Sequence, residues 1–174
     1  MGSVLAMTNA LSGPGTPSCA RMQRGEFLSF IVGAEWYAMD TLKVQEIRCF
    51  EPPTRIVGAP SYLLGVASLR GAIVPVIDLR IRFGTHQPAY QQSTVVIVLS
   101  LADHTVGLVV DAVCDVVTLT TEDLHVAPNL SRAFGADSIL GVATIEDAAV
   151  PARRQMLLLL DIERFVEDIQ RQAV

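Results

Sequence analysis

The chain is poor in the side chains that carry most enzyme and cofactor chemistry. It has three cysteines in 174 residues, at positions 19, 49 and 114. None forms a C-x-x-C pair, and an odd number without a framework excludes a disulfide scaffold and points to a reducing compartment. The thiols read as buried or incidental. The three histidines, His86, His104 and His125, fall far apart in predicted turns with no cysteine or carboxylate at ligand spacing, so no zinc or iron site is expected. Ser68 and Ser100 lack a G-x-S-x-G elbow, and no cysteine has a helix N-terminus or cation beside it to lower its pKa. G-x-G-x-x-G and P-loop patterns are missing, which leaves phosphate cradling without a motif. Asp111 and Asp115 are four apart on one predicted strand face and read as charges flanking a sheet edge rather than an acid–base pair. No cofactor, no metal and no catalytic activity are expected.

Other absences bound the partners. The 13 Lys and Arg residues are scattered singly or in pairs in a chain of net charge −5, so no basic stripe exists to neutralise several phosphates, and nucleic acid is not expected. The longest apolar stretch, TVVIVLSLADHTVGLVVDAV, is broken by Asp103 and His104, whereas a membrane span needs about 20 uninterrupted residues. The first residues carry no basic segment ahead of their weak apolar patch, and Ala6 stands where a myristoylation signal wants Ser or Thr. A cytoplasmic protein with no direct membrane insertion is expected.

What the chain does have is apolar material, 51% of its residues, enough for burial of about 70% of the unfolded surface at this size. Residues 1–24 read as a disordered leader because Gly13, Pro14, Gly15 and Pro17 break any helix; residues 25–170 form the domain. Runs of Val, Ile and Leu separated by GAEW, EPPTR, LRG, FGTHQP and ADHT have the cadence of short strands joined by turns, which makes the domain all-β. The alternation over residues 37–47 is imperfect, which predicts a bend or bulge there. APSYLLG (59–65) reads as a short helical turn ended by Gly65, and TTEDL (120–124) as a single capped turn. Ile162, Phe165, Val166 and Ile169 recur at helical spacing, which predicts a short C-terminal amphipathic helix packed on the domain.

An internal repeat organises the whole. Tyr37–Met39 and Leu42–Ile47 superimpose on Val106–Leu108 and Asp111–Val116 with one offset, and LLGVASLRGAIVPVIDLRIRF echoes ILGVATIEDAAVPARRQMLLLLDIERF with a longer loop. Two halves of about five strands each are implied. Closure into two small barrels side by side protects their edges and leaves a groove between them. Leu69-Arg70-Gly71-Ala72 reads as a tight hairpin turn with Gly71 at positive φ, so the charge of Arg70 sits at a tip. Val44 reads either as a surface anchor or as a plain core valine.

The Y-x-x-D-x-x-K-V-Q-E-I, G-V-x-x-L-R-G-x-I-V-P-V-I-D-L-R and V-G-L-V-V-D-x-V blocks closely resemble the CheW family of bacterial chemotaxis coupling proteins, from about Glu26 to about Asp168. The resemblance implies two pseudo-symmetric five-stranded SH3-like barrels and an adaptor without activity of its own. Its implied partners are the regulatory domain of the histidine kinase CheA, met end to end, and the cytoplasmic tip of chemoreceptors, met in the inter-barrel groove. It further implies that Val44, Glu46 and Ile47 lie on the strand offered to kinase or receptor, and Gly65, Leu69 and Arg70 in a neighbouring receptor-facing region. No receiver domain is appended, so a CheV-like fusion is not expected of this polypeptide. An adaptor of a non-motility chemosensory pathway and a small β-barrel enzyme or ligand carrier using the inter-barrel cleft are the rival readings.

Overall fold

The apolar runs settle into eleven short strands and two helices among the residues that the computed structural model describes, namely 24–85, 87–125, 138–147, 149–150 and 152–172. The strands are β1 (Gly25–Val32), β2 (Glu35–Asp40), β3 (Val44–Cys49), β4 (Leu63–Leu69), β5 (Ala72–Asp78), β6 (Val95–Ser100), β7 (Thr105–Val110), β8 (Ala112–Leu119), β9 (Leu124–His125), β10 (Ile139–Glu146) and β11 (Arg154–Leu160). Helix α1 is Leu79–Arg82 and α2 is Ile162–Gln172. One sheet has the order β8-β1-β2-β11-β10-β9, the other β3-β6-β7-β5-β4. These are the two SH3-like barrels, five strands each, with the two-residue β9 added to the first.

The sequence halves do not each form a barrel, which corrects the simplest reading of the repeat. The first barrel takes β1 and β2 from the start of the chain and β8 to β11 from its end, while the second is built from the contiguous β3 to β7. The repeat itself is real in three dimensions. β8 pairs with β1 as β3 pairs with β6, with a bulge in each, between Leu28 and Phe30 and between Val44 and Glu46. The β4–β5 and β10–β11 hairpins carry matching bulges before Gly65 and Gly141. Each barrel also has one parallel pairing, Ile77↔Leu108 and Leu158↔Tyr37.

The exchange of strands originates in three residues. Asp40 Oδ1 accepts a hydrogen bond of 2.9 Å from Leu42 N, and Thr41 Oγ1 donates to the Glu26 carbonyl at 3.1 Å, closing a 3₁₀ turn over Thr41–Lys43. The expected bend is therefore a break that sends β3 into the other barrel. Val44 and its repeat mate Val113 enter the same central cluster from opposite barrels. That cluster joins Phe30 and Met39 of one sheet to Ile97, Leu99 and Leu108 of the other, and α2 buries Ile162, Phe165, Val166 and Ile169 in it, as its periodicity predicts. Each barrel keeps a smaller core of its own, around Leu157 and Leu159 in the first and Val98 and Val109 in the second.

Several local expectations change. Residues 59–65 form a turn, closed by Leu63 N to the Pro60 carbonyl at 3.0 Å, that leads into β4 rather than a helix. TTEDL, by contrast, is the single capped turn that its sequence implies, with Thr120 Oγ1 donating to Asp123 Oδ2 at 2.8 Å. Asp111 lies in the link between β7 and β8, not on a strand face with Asp115. Cys49 and Cys114 are exposed, not buried, and His125 ends a strand instead of sitting in a turn. Cys19, His86 and all of the leader except Arg24 lie outside the described residues.

Candidate interaction surface

The β4–β5 hairpin closes through the two-residue loop Arg70-Gly71, flanked by the pair Leu69↔Ala72. Arg70 has φ 51° and Gly71 φ 82°, so both loop residues are left-handed, as a type I′ turn requires. Gly71 takes that conformation without strain, whereas Arg70 takes it at some cost. Arg70 projects from the tip and donates from Nη2 to Glu46 Oε2 at 2.9 Å. β3 and β4 stand at opposite ends of their sheet order, so this ion pair spans the seam where the sheet curls back on itself. Glu46 Oε1 is buried there without a hydrogen-bond partner.

The six residues singled out in the sequence divide into three kinds. Glu46 and Arg70 meet in the ion pair. Ile47, 45% exposed, offers an apolar side chain on β3, and Leu69 is half-buried against the core of the second barrel. Val44 is half-buried and packs on the central cluster, and Gly65 is buried. A Cβ on Gly65 would lie 2.0 Å from the Thr54 carbonyl oxygen, so this position exists for the close approach of two backbones, which bond reciprocally through Thr54 and Val66 at 2.9 Å.

Two features escaped the sequence reading. Ile73, opposite Ser68 near the hairpin tip, is 71% exposed, and its repeat mate Met156 and the Ile47 mate Val116 are exposed on the other barrel. AIVPVIDL gave no sign of this, because it is apolar on both phases and the sequence does not say that Val74 and Val76 are the buried ones. The second is Arg80, a buried charge within VIDLRIRF. Its Nη1 donates to the Ala89 carbonyl at 2.7 Å and to Asp111 Oδ1 at 3.2 Å, and its guanidinium stacks 4.8 Å from the Tyr90 ring centroid. Burial works against its charge, but the hydrogen bonds it donates to Asp78 and Asp111, with their negative charges, outweigh it and raise its pKa. Burial, and then the charge of Asp78, push the Tyr90 phenol up as well.

Among the described residues no three His, Cys, Asp or Glu side chains gather to hold a metal, and no helix is long and apolar enough to cross a membrane. What the surface offers is a charged pair flanked by isolated apolar side chains, Ile47 and Ile73.

The family model of the CheW-like domain matches residues 26–170. The chain is 42% identical over 141 residues to the chemotaxis protein CheW of Klebsiella aerogenes, covering 81% of each. It is 32% identical over 148 residues to the chemotaxis protein CheW of Rhizobium meliloti, covering 85% of this chain and 91% of the relative. The crystal structure of the scaffolding protein TtCheW from Thermoanaerobacter tengcongensis superimposes with a TM-score of 0.69 at 25% identity, over 79% of this chain and 89% of that one.

Proposed function

This chain belongs to the CheW family of chemotaxis coupling proteins, and on that premise we propose that it joins transmembrane chemoreceptors to the histidine kinase CheA. It acts through protein contacts alone, in the cytoplasm, at the membrane-associated receptor array. Its partners are the regulatory domain of CheA and the cytoplasmic tip of the receptors. Glu46, Ile47, Leu69 and Arg70 meet a partner directly, while Val44 and Gly65 shape that surface from beneath.

The observation that carries this reading is the Arg70–Glu46 pair across the seam of the second barrel, on a strand and a hairpin that also present Ile47 and Ile73. Arg70 keeps most of its guanidinium free, since its side chain is 70% exposed and one nitrogen serves Glu46. A guanidinium so held can add a bidentate bond to a partner carboxylate. The test is co-purification of the protein with the CheA regulatory domain and a receptor cytoplasmic fragment, separately and together. A ternary complex is expected; failure of the folded protein to retain either partner overturns the reading.

A further inference from the structure

β3 carries Glu46 and Ile47, yet it stands at the edge of its sheet, with β6 as its one strand neighbour there. Its first residue is held by the packing of Val44 on the central cluster. Its other end runs into Glu51-Pro52-Pro53, where the prolines have no N–H with which to continue the pairing. Phe50 holds it there. The Phe50 N–H donates to the Thr94 carbonyl at 3.3 Å, longer than the usual range, so the ring contact matters more: Phe50 stacks on Tyr90 with centroids 4.3 Å apart and planes 15° from parallel.

Tyr90 lies in the link between α1 and β6 and is itself fixed from the buried charges. Arg80 Nη1 binds the carbonyl of the preceding Ala89, the guanidinium lies over the Tyr90 ring, and the Tyr90 hydroxyl donates to Asp78 Oδ2. Side chains in direct contact thus lead from the Asp78–Arg80 pair through Tyr90 to Phe50. Phe50 and Leu69 pack on one core of four valines, Val76, Val96, Val98 and Val109, so Phe50 lies beneath both β3 and the hairpin that bears Arg70.

We propose that Tyr90 is a positioning residue for the interaction surface: through its stack on Phe50 it fixes the free end of β3, and with it Glu46 and Ile47. The inference rests on the coupling function proposed above and adds to it a residue outside β3 and the β4–β5 hairpin. The ring carries the role, because the stack needs the ring and not the hydroxyl.

The test compares Tyr90→Phe, Tyr90→Ala and Phe50→Leu in binding to the CheA regulatory domain and to a receptor cytoplasmic fragment, with the backbone amides of the free proteins read by NMR. In Tyr90→Ala and Phe50→Leu the Glu46 and Ile47 amides should shift and exchange faster with solvent, while those of Leu157 and Leu159 in the first barrel stay as in the parent. Affinity should fall about 3–10-fold in each, with circular dichroism unchanged, and no further in the double variant, since both changes remove the same stack. Tyr90→Phe should bind within about twofold of the parent. Unmoved Glu46 and Ile47 amides in Tyr90→Ala overturn the proposal. So does weakened binding in Tyr90→Ala beside full binding in Phe50→Leu, because Tyr90, 46% exposed, would then touch the partner itself. A parent protein that binds neither partner overturns the coupling function instead, and the amides of the free protein still decide whether Tyr90 sets β3.

Discussion

Arg80 and Asp78, both fully buried, are joined by two parallel hydrogen bonds, 3.0 Å from Nε to Oδ1 and 2.8 Å from Nη2 to Oδ2. The same guanidinium reaches Asp111, whose other oxygen accepts from Gly33 N at 2.7 Å in the β1–β2 turn of the opposite barrel. Tyr90 completes the set by donating from its hydroxyl to Asp78 Oδ2 at 3.1 Å. A continuous run of hydrogen bonds thus crosses the joint between barrels.

Replacing Arg80 by methionine leaves the Asp78 carboxylate buried without its cation. Breaking a buried pair from one side costs about 3–5 kcal/mol, so Arg80→Met should unfold at much lower urea concentration or fail to fold. Asp111→Asn keeps one acceptor oxygen for two donors, Arg80 Nη1 and Gly33 N, and at a partly exposed position should cost about 1–2 kcal/mol. Equal effects of the two substitutions in urea denaturation would show that Asp78 is not the dominant partner.

Arg70→Ala removes no core volume and gives up one largely exposed ion pair, worth about 0–1 kcal/mol to stability. The fold should persist by circular dichroism while affinity for a receptor fragment falls by about 1–3 kcal/mol, with Arg70→Lys recovering only part. The exchange Arg70→Glu with Glu46→Arg separates two roles. Restored binding would mean that Arg70 acts by holding the seam; binding still lost would mean that it touches the partner itself.

Val44 and Ile47 should part company. Val44→Glu places a carboxylate on the central cluster and should destabilise by several kcal/mol. Ile47→Glu, at an exposed position, should leave the melting temperature nearly unchanged and weaken binding to the kinase or receptor fragment. A Val44→Glu protein that melts like the parent would place that side chain in solvent.

A cut in the link between α1 and β6 should give two fragments that do not fold alone. The first holds β1 and β2 without β8 and β11, and the second holds the reverse. Mixed, they should regain the native spectrum. A sharp thermal transition in either fragment by itself would mean that the central cluster is dispensable to one barrel.

The repeat was legible because blocks of similar apolar pattern recur at a constant offset, and α2 because four apolar residues recur at helical spacing. The Arg70 tip was legible because L-R-G between two apolar runs leaves few alternatives to a hairpin. Strand partnership was not legible. It depends on Asp40 capping Leu42 in the middle of what otherwise reads as one strand from Tyr37 to Ile47. The Glu46 partner of Arg70 lies 24 residues away and is brought in only by curling of the sheet. Arg80 was passed over because DLR inside an apolar run reads as a strand end, when in fact Asp78 caps a helical turn and folds Arg80 back onto itself. Val44 stayed ambiguous because a half-buried valine at the start of an edge strand satisfies both readings.

The interleaving of the two barrels gives the protein an order of birth. Barrel two is complete once Val110 has been made, and it can close as soon as that residue leaves the ribosome. The β1–β2 hairpin is made earliest but waits for Leu158 to pair with Tyr37, roughly 120 residues later, which at about 5–20 residues per second is on the order of ten seconds. Through that interval Phe30 and Met39 have no complete core of their own, and the finished middle barrel is the surface available to shelter them. The first strands to be synthesised are therefore among the last to become native, and nascent chains halted before β11 should be the species that chaperones hold.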